Sequence, residues 1–282
     1  MNDFSNYKIN CKSISLLMMD SFNNRPITEN QERELSILKN KSKLTALQSA
    51  RLVALSNKLE NYNPNILSNS IKSELIKMYA YEQYDKIAIG QRGDGVFSLM
   101  KGTIVEMEAI KLLSEIDGIE YVKNEKKYSN KFIKGIPDIV DKKNKKVIDI
   151  KSSIDIVSFL NNIDKELSDD NNYQMKGYME LTKMDHGEVC FCLVNTPPDL
   201  INSEIRKEKT KNILYGKDEE YANRSIQLLQ NSMVFDDIPI EKRVIRYTVT
   251  RDKEVMKKVY EKVILTREWL KIFHEKHMKA NG

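Results

Sequence analysis

Apolar residues recur at helical spacing in two long stretches near the ends of the chain. The first covers residues 30–88 with a break near Pro64, and the second begins at about Lys253. Apolar positions three and four apart form a stripe on one side of a helix, so both stretches predict helices packed against a core. The stripe residues are Leu52, Leu55 and Leu59, then Ile71, Leu75, Met78 and Tyr79, and later Met256, Val259, Tyr260, Val263, Leu270 and Phe273.

Shorter apolar and β-branched runs in the middle of the chain predict strands. Residues 139–140 and 147–150 flank a polar loop and predict a β-hairpin. Residues 189–194 predict a further strand, which a turn signal ends. Beyond it, residues 221–230 predict a helix and residues 243–250 predict a half-buried edge strand.

The predicted hairpin carries two acids and a lysine where they can share one face. If its loop centres on residues 143–144, Asp138 lies directly across from Asp149. Side chains two apart on a strand point the same way, so Asp149 and Lys151 point together, and the two isoleucines beside Asp149 point into the opposite layer. Carboxylates gathered in this way form a candidate metal site.

The sequence Pro137-Asp138, followed by Asp149-Ile150-Lys151, resembles the pattern of the PD-(D/E)XK nuclease superfamily. Both halves of this pattern are short, and each occurs by chance in unrelated proteins. Two further elements, one on each side of the hairpin, strengthen the resemblance.

The upstream element is a predicted amphipathic helix that begins near Gly102. It is similar to the G-x-x-x-E helix of the phage lambda exonuclease and RecB-like branch of that superfamily, and Glu106 matches the acid that completes the metal site there. Glu106 shares a face with Ile110 and Leu113, whereas Glu108 points to a different side. The alternative is a solvated glutamate in the first turn, favoured by the helix dipole.

The downstream element is a predicted helix over residues 173–181, in which Gln174 and Tyr178 are four apart and share a face. It is similar to the Q-x-x-x-Y motif of the same branch, whose two side chains lie beside the metal cleft. There they contact the nucleic-acid backbone or the region of the catalytic lysine. The alternative is a core tyrosine beside an exposed glutamine.

The resemblance implies an α/β fold with a restriction-endonuclease-like core, which is a mixed β-sheet flanked by helices. It implies a nuclease core at residues 96–200, a helical extension packed on the core at residues 1–95, and a C-terminal extension with an edge strand and a long helix at residues 201–282. No tandem repeat is apparent in the sequence, so one elaborated domain is expected rather than two independent ones.

The resemblance also implies the site residues and their roles. All candidate metal ligands are oxygens, so Mg²⁺ or Mn²⁺, as one ion or two, is expected rather than zinc. Lys151 is assigned to hold the attacking water or to stabilise the pentavalent phosphate. The implied catalytic residues are Glu106, Asp138, Asp149, Lys151, Gln174 and Tyr178, and the implied metal ligands are Glu106, Asp138, Asp149 and the backbone carbonyl of Ile150.

The resemblance implies a Mg²⁺-dependent deoxyribonuclease, and an exonuclease that processes duplex DNA ends is the preferred hypothesis. In the branch, this work accompanies recombination or replication, sometimes with a single-strand annealing protein as partner, and a homo-oligomer is left open. Because the motif positions a metal without choosing where a strand is cut, an endonuclease specific for sequence or structure is the first alternative. A nucleic-acid binding protein that no longer cleaves is the second.

Net charge adds little to this picture. At +5 with 31% charged residues, the chain is only mildly basic, so nucleic-acid binding is expected to depend on local clusters. A lysine-rich turn is usually just solvated, but beside a metal site each phosphate contact adds salt-sensitive affinity. The two clusters are Lys142, Lys143, Lys145 and Lys146, and Arg206, Lys207, Lys209 and Lys211.

Other candidate sites are weaker. Residues 90–95 are rich in glycine but lack the P-loop ending and predict a loop, from which Arg92, like the nearby Lys101, either contacts a terminal phosphate or has an ordinary surface role. His274 and His277 lack a third ligand and are expected to be solvated.

His186 is expected in the turn before the strand at residues 189–194. Cys11, Cys190 and Cys192 are expected to be buried free thiols in a reducing cytoplasm. Some RecB-like proteins carry four cysteines around an iron-sulfur cluster, a set that this chain lacks, so no cluster is expected. No run of eighteen apolar residues and no signal peptide are found, so an intracellular protein with no membrane partner is expected.

Overall fold

A computed structural model describes residues 4–20, 24–86 and 95–280, apart from the side chains of residues 95–100, 103 and 280. The chain forms two compact units, one made of residues 1–9, 13–87 and 257–282 and the other of residues 10–12 and 88–256. The sequence predicts three consecutive parts of one domain, and this organisation stays a prediction. The first unit contains both ends of the chain. The predicted loop at residues 90–94, with Arg92, lies outside the described residues.

Ten helices and seven strands occur within the described residues. The helices are α1 (Ile14–Met18), α2 (Glu29–Lys39), α3 (Ala46–Glu60), α4 (Asn69–Tyr84), α5 (Gly95–Asp117), α6 (Ile156–Leu160), α7 (Asp169–Thr182), α8 (Pro198–Leu214), α9 (Glu219–Asn231) and α10 (Lys253–Ala280). The strands are β1 (Ile9–Asn10), β2 (Tyr128–Ser129), β3 (Ile133–Gly135), β4 (Ile139–Asp141), β5 (Lys146–Ser152), β6 (His186–Cys192) and β7 (Val244–Thr250).

The first unit is helical, as its periodicity predicts. Thr28 and Thr45 begin α2 and α3 with capping boxes, in which the threonine hydroxyl accepts a hydrogen bond from the third helical residue. The break near Pro64 separates α3 from α4. Leu55 is buried against α2, but Leu59 in the last turn of α3 is 46% exposed, so the buried stripe ends one turn earlier than predicted.

The second unit contains a four-stranded mixed sheet in the order β4-β5-β6-β7. Strands β5 and β6 are parallel, while β4 and β7 lie antiparallel at the two edges. A parallel pair needs a long crossover, which α6 and α7 provide. The predicted mixed α/β class and the edge strand at residues 243–250 are therefore confirmed.

The two faces of this sheet pack against different helices. Ile148 of β5 lies in an apolar cluster with Val105 and Ile110 of α5. On the other face, a Cβ at Gly187 of β6 would lie 2.6 Å from the sulfur of Met179 in α7. Because side chains alternate along β5, the positions next to Ile148 face α7.

Several sequence predictions need correction. Helix α5 begins at Gly95 rather than near Gly102, so Gly102 lies inside the helix, where a single glycine costs only about 1 kcal/mol. Strand β6 begins at His186, three residues before the predicted start, so His186 is an exposed strand residue instead of a turn residue. The short strands β2 and β3 and helix α8 were not predicted.

All three cysteines are buried free thiols, as expected. Within the described part of the chain, no helix combines the length and the apolar character that crossing a membrane requires.

Candidate active site

The β4–β5 hairpin has the predicted register. Ile139 pairs with Ile148 and Val140 with Val147, so the loop centres on residues 143–144 and one further step places Asp138 opposite Asp149. The Asp138 Oδ2 atom accepts a hydrogen bond of 2.6 Å from the backbone N–H of Ile150. Asp138 is therefore tied to the strand that carries the second acid.

Asp149 is a buried carboxylate with few donors. Its side chain is 3% exposed, its Oδ1 accepts a hydrogen bond of 3.3 Å from Gln174 Nε2, and its Oδ2 lies 2.8 Å from Lys151 Nζ. That contact is an ion pair by distance, but Oδ2 has no partner with hydrogen-bond geometry. A buried oxygen in this state retains capacity to bind a cation.

Gln174 and Tyr178 share one face of α7, as their spacing predicts. Gln174 Nε2 donates to the Tyr178 hydroxyl at 2.9 Å, and Gln174 Oε1 accepts from Lys151 Nζ at 3.1 Å. Both side chains are buried, which overturns the alternative of an exposed glutamine. Burial, followed by the charge of Asp149, raises the pKa of Tyr178, so its hydroxyl stays protonated.

Asp138 lies in an environment that disfavours its charge. Burial first, and then the nearby charge of Asp149, raise its pKa to about 7. The hydrogen bond from the Ile150 N–H acts in the opposite direction, and Glu106 adds a further upward contribution. The ammonium of Lys151 lowers the pKa of Asp138 but offsets only part of these upward effects.

Glu106 is held by a lysine that belongs to no recognised motif. Its Oε2 lies 2.8 Å from Lys123 Nζ, and both side chains are partly exposed. Because α5 begins at Gly95, Glu106 lies well inside the helix, and the alternative of a first-turn glutamate is wrong. Glu108, in contrast, lies on the exposed side of α5 and pairs with Lys111.

The predicted convergence is therefore partial. Contacts join Asp149, Lys151, Gln174 and Tyr178 into one set, and Asp138 is tied to the same strand through the backbone N–H of Ile150. Glu106 affects Asp138 electrostatically and is itself paired with a lysine. Among residues 4–20, 24–86 and 95–280, no three His, Cys, Asp or Glu side chains form a group arranged to hold a metal ion. Two features still fit a hard divalent cation: the buried Asp149 Oδ2, which has an ion pair with Lys151 but no hydrogen bond, and the raised pKa of Asp138 beside it.

Two neighbouring residues that the sequence analysis missed support the site. Lys123 makes an isolated antiparallel bridge with Ile139 of β4. The Asn124 backbone N–H donates to the Asp138 carbonyl at 2.7 Å, and its side-chain Nδ2 donates to the Pro137 carbonyl at 2.9 Å. These contacts hold the backbone of the first acid from an irregular segment, where spacing gives no signal.

Lys101 has neither of its two expected roles. The residue is 1% exposed, and its Nζ donates to the carbonyls of Ser153 and Ile154 at 3.1 Å each. Burial lowers its pKa to about 8. Lys101 thus ties α5 to the segment that follows β5, instead of contacting a phosphate or lying on the surface.

The two histidines of α10 were expected to be solvated, but each contacts a tyrosine hydroxyl. His274 Nδ1 lies 2.8 Å from the Tyr79 hydroxyl, and His277 Nε2 contacts the Tyr84 hydroxyl. The rings of Phe4 and Phe273 complete an aromatic cluster in the first unit.

The two basic clusters differ in setting. Lys142, Lys143 and Lys145 are exposed on the hairpin turn, which strand geometry places about 13 Å from the paired aspartates. On α8, Lys207 and Lys211 form ion pairs with acids three residues earlier.

The second unit thus has a mixed sheet between α5 and α7, with buried acids where two strands meet. No protein-family model and no curated protein matches the chain. The fold is similar to that of a phage-related exonuclease from Haemophilus somnus 129PT, with 21% sequence identity, a TM-score of 0.62, and coverage of 96% of this chain and 97% of that chain.

It is also similar to an alkaline exonuclease (LHK-Exo) from Laribacter hongkongensis, at 10% identity and a TM-score of 0.54, covering 98% of this chain and 96% of that chain. A structure of LHK-Exo in complex with dAMP gives 10% identity, a TM-score of 0.52, and coverage of 97% and 94%. At these identities, the comparisons establish a shared fold.

Proposed function

We propose that this protein is a metal-dependent deoxyribonuclease, and specifically an exonuclease that hydrolyses phosphodiester bonds from the ends of duplex DNA. The observation that carries the proposal is the cluster in which the buried Asp149 and Gln174 lie with the partly exposed Asp138 and Lys151. The charge of Asp149 raises the pKa of Asp138, so a bound cation would stabilise the charged form of Asp138.

Asp138 and Asp149 would hold Mg²⁺ or Mn²⁺, together with the backbone carbonyl of Ile150 and the carboxylate of Glu106. When bound, a divalent cation polarises the scissile phosphate and lowers the pKa of a water molecule toward neutrality. No side chain of the chain supplies this effect alone, since phosphodiester hydrolysis requires barrier lowering of roughly 20 kcal/mol.

The chain's own residues then position the reactants. The Lys151 side chain is 30% exposed, so its ammonium would reach a water molecule or a phosphate oxygen at the edge of the site. Gln174 accepts from Lys151 and donates to Asp149, which fixes the distance between these two groups. Tyr178 orients Gln174 from beneath and acts as a positioning residue.

The preference for ends over internal positions rests on likeness over nearly the whole chain. The exonuclease structures from Haemophilus somnus and Laribacter hongkongensis cover 96% and 98% of this chain, so the similarity includes the helical extensions as well as the sheet. DNA as substrate, a role in recombination or replication, an annealing partner and a homo-oligomer all belong to this proposal. An endonuclease and a non-cleaving binding protein remain its alternatives.

The test is a timed digestion of end-labelled linear duplex and closed circular DNA by the full-length protein with Mg²⁺, Mn²⁺ or a chelator. We expect shortening of the linear duplex with either metal, no cutting of the circle, and no activity with the chelator. Cutting of the circle would favour the endonuclease, and binding without cleavage would favour the binding protein.

Paired substitutions test the residue roles in the same assay. Asp149→Ala with Lys151→Ala should abolish degradation, because it removes an acid of the site and its ammonium together. Glu74→Ala with Lys77→Ala removes an exposed ion pair of α4 and is the matched control, for which wild-type activity is expected. Unchanged degradation by the first variant would refute the assigned roles.

A further inference from the structure

Lys123 places a positive charge beside Glu106, the third acid of the candidate metal site. Its Nζ lies 2.8 Å from Glu106 Oε2, with side-chain exposures of 35% for Lys123 and 20% for Glu106. Asp138 also acts on this ammonium electrostatically. The backbone bridge to Ile139 anchors Lys123 next to β4, so its position follows from the fold rather than from a free surface side chain.

We propose that Lys123 is a built-in counter-ion of the metal site, whose ammonium holds Glu106 in the metal-free protein and must release it when a divalent cation binds. The inference rests on the proposed function, because it assumes that the acids bind a metal. It makes a separate claim, which is that a metal ion binding at Glu106 replaces the Lys123 ammonium.

The physical argument is competition for one carboxylate. The Lys123 ammonium, 2.8 Å from Glu106 Oε2, offsets the charge of this carboxylate and repels a second cation that approaches it, so the ion pair opposes metal binding. Without Lys123, the charges of Glu106, Asp138 and Asp149 would repel one another more strongly in the metal-free state. A divalent cation would then relieve more repulsion than it does in the wild type.

The same helix provides a matched control. Lys111 pairs with Glu108 at 3.2 Å, but these side chains are 69% and 59% exposed and lie on the side of α5 away from the aspartates. Lys123→Met and Lys111→Met therefore each remove one ammonium from one glutamate of α5. Only the first should alter metal binding.

The experiment measures Mn²⁺ affinity by isothermal titration calorimetry on the full-length protein after removal of metal, and thermal unfolding with chelator or with saturating Mn²⁺. We expect Lys123→Met to bind Mn²⁺ up to about tenfold more tightly, a change that corresponds to about 1.4 kcal/mol. It should also unfold at a lower temperature than Lys111→Met in chelator, and saturating Mn²⁺ should reduce this gap.

Two further variants make the test specific. Lys123→Arg keeps the charge and should bind Mn²⁺ as the wild type does. In a Glu106→Gln background, Lys123→Met should no longer tighten binding, since the contested carboxylate is gone. Lys123→Gln provides the same comparison if Lys123→Met does not fold.

Unchanged or weaker Mn²⁺ binding by both neutral variants at position 123 would overturn the inference. Wild-type cleavage of linear duplex DNA is followed separately. If the wild type binds Mn²⁺ and cleaves while the Met and Gln variants of Lys123 match it in affinity, only this inference fails. If the wild type neither binds Mn²⁺ nor cleaves, the proposed function fails.

Discussion

The two ends of the β4–β5 hairpin shift the pKa of an aspartate in opposite directions. At the turn, Asp141 accepts hydrogen bonds from the backbone N–H of Asn144 at 3.1 Å and from its side-chain Nδ2 at 2.6 Å. Burial tends to raise the pKa of Asp141, but these hydrogen bonds outweigh it and the pKa lies below its ordinary value. Three residues earlier, burial and Asp149 raise the pKa of Asp138 to about 7.

The difference shows how local donors decide what an acid does. Asp141 receives its donors from its own loop, so its charge is stabilised without any ligand. Asp138 receives one backbone N–H from Ile150 and faces a second acid across the hairpin. A cation would therefore bind more favourably at the open end than at the turn, although the turn also carries an aspartate.

The largest expected effect concerns activity at the two aspartates. Asp138→Asn should lower the rate of duplex degradation by about 100-fold or more, because it removes a carboxylate proposed to bind the metal. Asp141→Asn should stay within about threefold of the wild type, since this acid serves the turn. The rates are measured on end-labelled DNA, and equal losses in both variants would remove the functional distinction between the two ends.

Packing beneath the two ends provides the next prediction. A Cβ at Gly135, just before the open end, would lie 2.7 Å from Cε1 of the Tyr178 ring, so Gly135→Ala should destabilise the protein by about 1–3 kcal/mol. Gly187, beside the turn end, would meet the side chains of Met175 and Met179, which can shift more easily than a ring. Gly187→Ala should therefore cost less in urea unfolding, and an equal or larger cost would contradict this contrast.

The opposite pKa shifts predict opposite pH dependences in chelator. Between about pH 4 and pH 7, folded Asp138 holds a proton that the unfolded chain has released, so its contribution to stability falls as the pH rises. For Asp141, whose folded pKa is lowered, the contribution is present above the unfolded pKa and falls as the pH drops through the folded pKa.

The measurement is urea unfolding at several pH values for the wild type, Asp138→Asn and Asp141→Asn. The difference between wild type and Asp138→Asn should shrink or reverse as the pH rises, and the difference for Asp141→Asn should grow. Slopes of the same sign for both variants would contradict the comparison.

The smallest expected effect concerns the lysines of the turn. Lys142→Ala with Lys143→Ala should weaken binding of duplex DNA a few-fold at low salt and reduce the salt slope by about 2 at most, because each lysine offers one phosphate contact. The rate at saturating DNA should not change, since the turn lies about 13 Å from the acids. A large loss of this rate would mean that the turn takes part in the site.

The parts of the site that local spacing encodes were predictable. The hairpin register follows from a loop of defined length, and the contact of Gln174 with Tyr178 follows from helical spacing. Lys123 was not predictable, because its contact with Glu106 joins residues 17 apart through an irregular segment. The burial of Lys101 was missed because its hydrogen-bond acceptors are carbonyls about fifty residues later in the chain.

The start of α5 was misplaced for a related reason. A glycine is a weak signal for the start of a helix when a side chain would also fit at its position, as at Gly102. The helical stripes were predictable in outline, but the burial of each member depends on where the neighbouring helix ends, as the exposed Leu59 shows.

Because side chains alternate along β5, the register that buries its isoleucines also places Asp149 in the candidate site. If β5 paired one residue out of step with both β4 and β6, Asp149 and the isoleucines beside it would exchange layers. Asp149 would then be driven among Val105 and Ile110, where a carboxylate has no donor, while Ile148 would turn toward α7. A mispaired β5 would thus destabilise the fold and separate the residues of the candidate site at the same time.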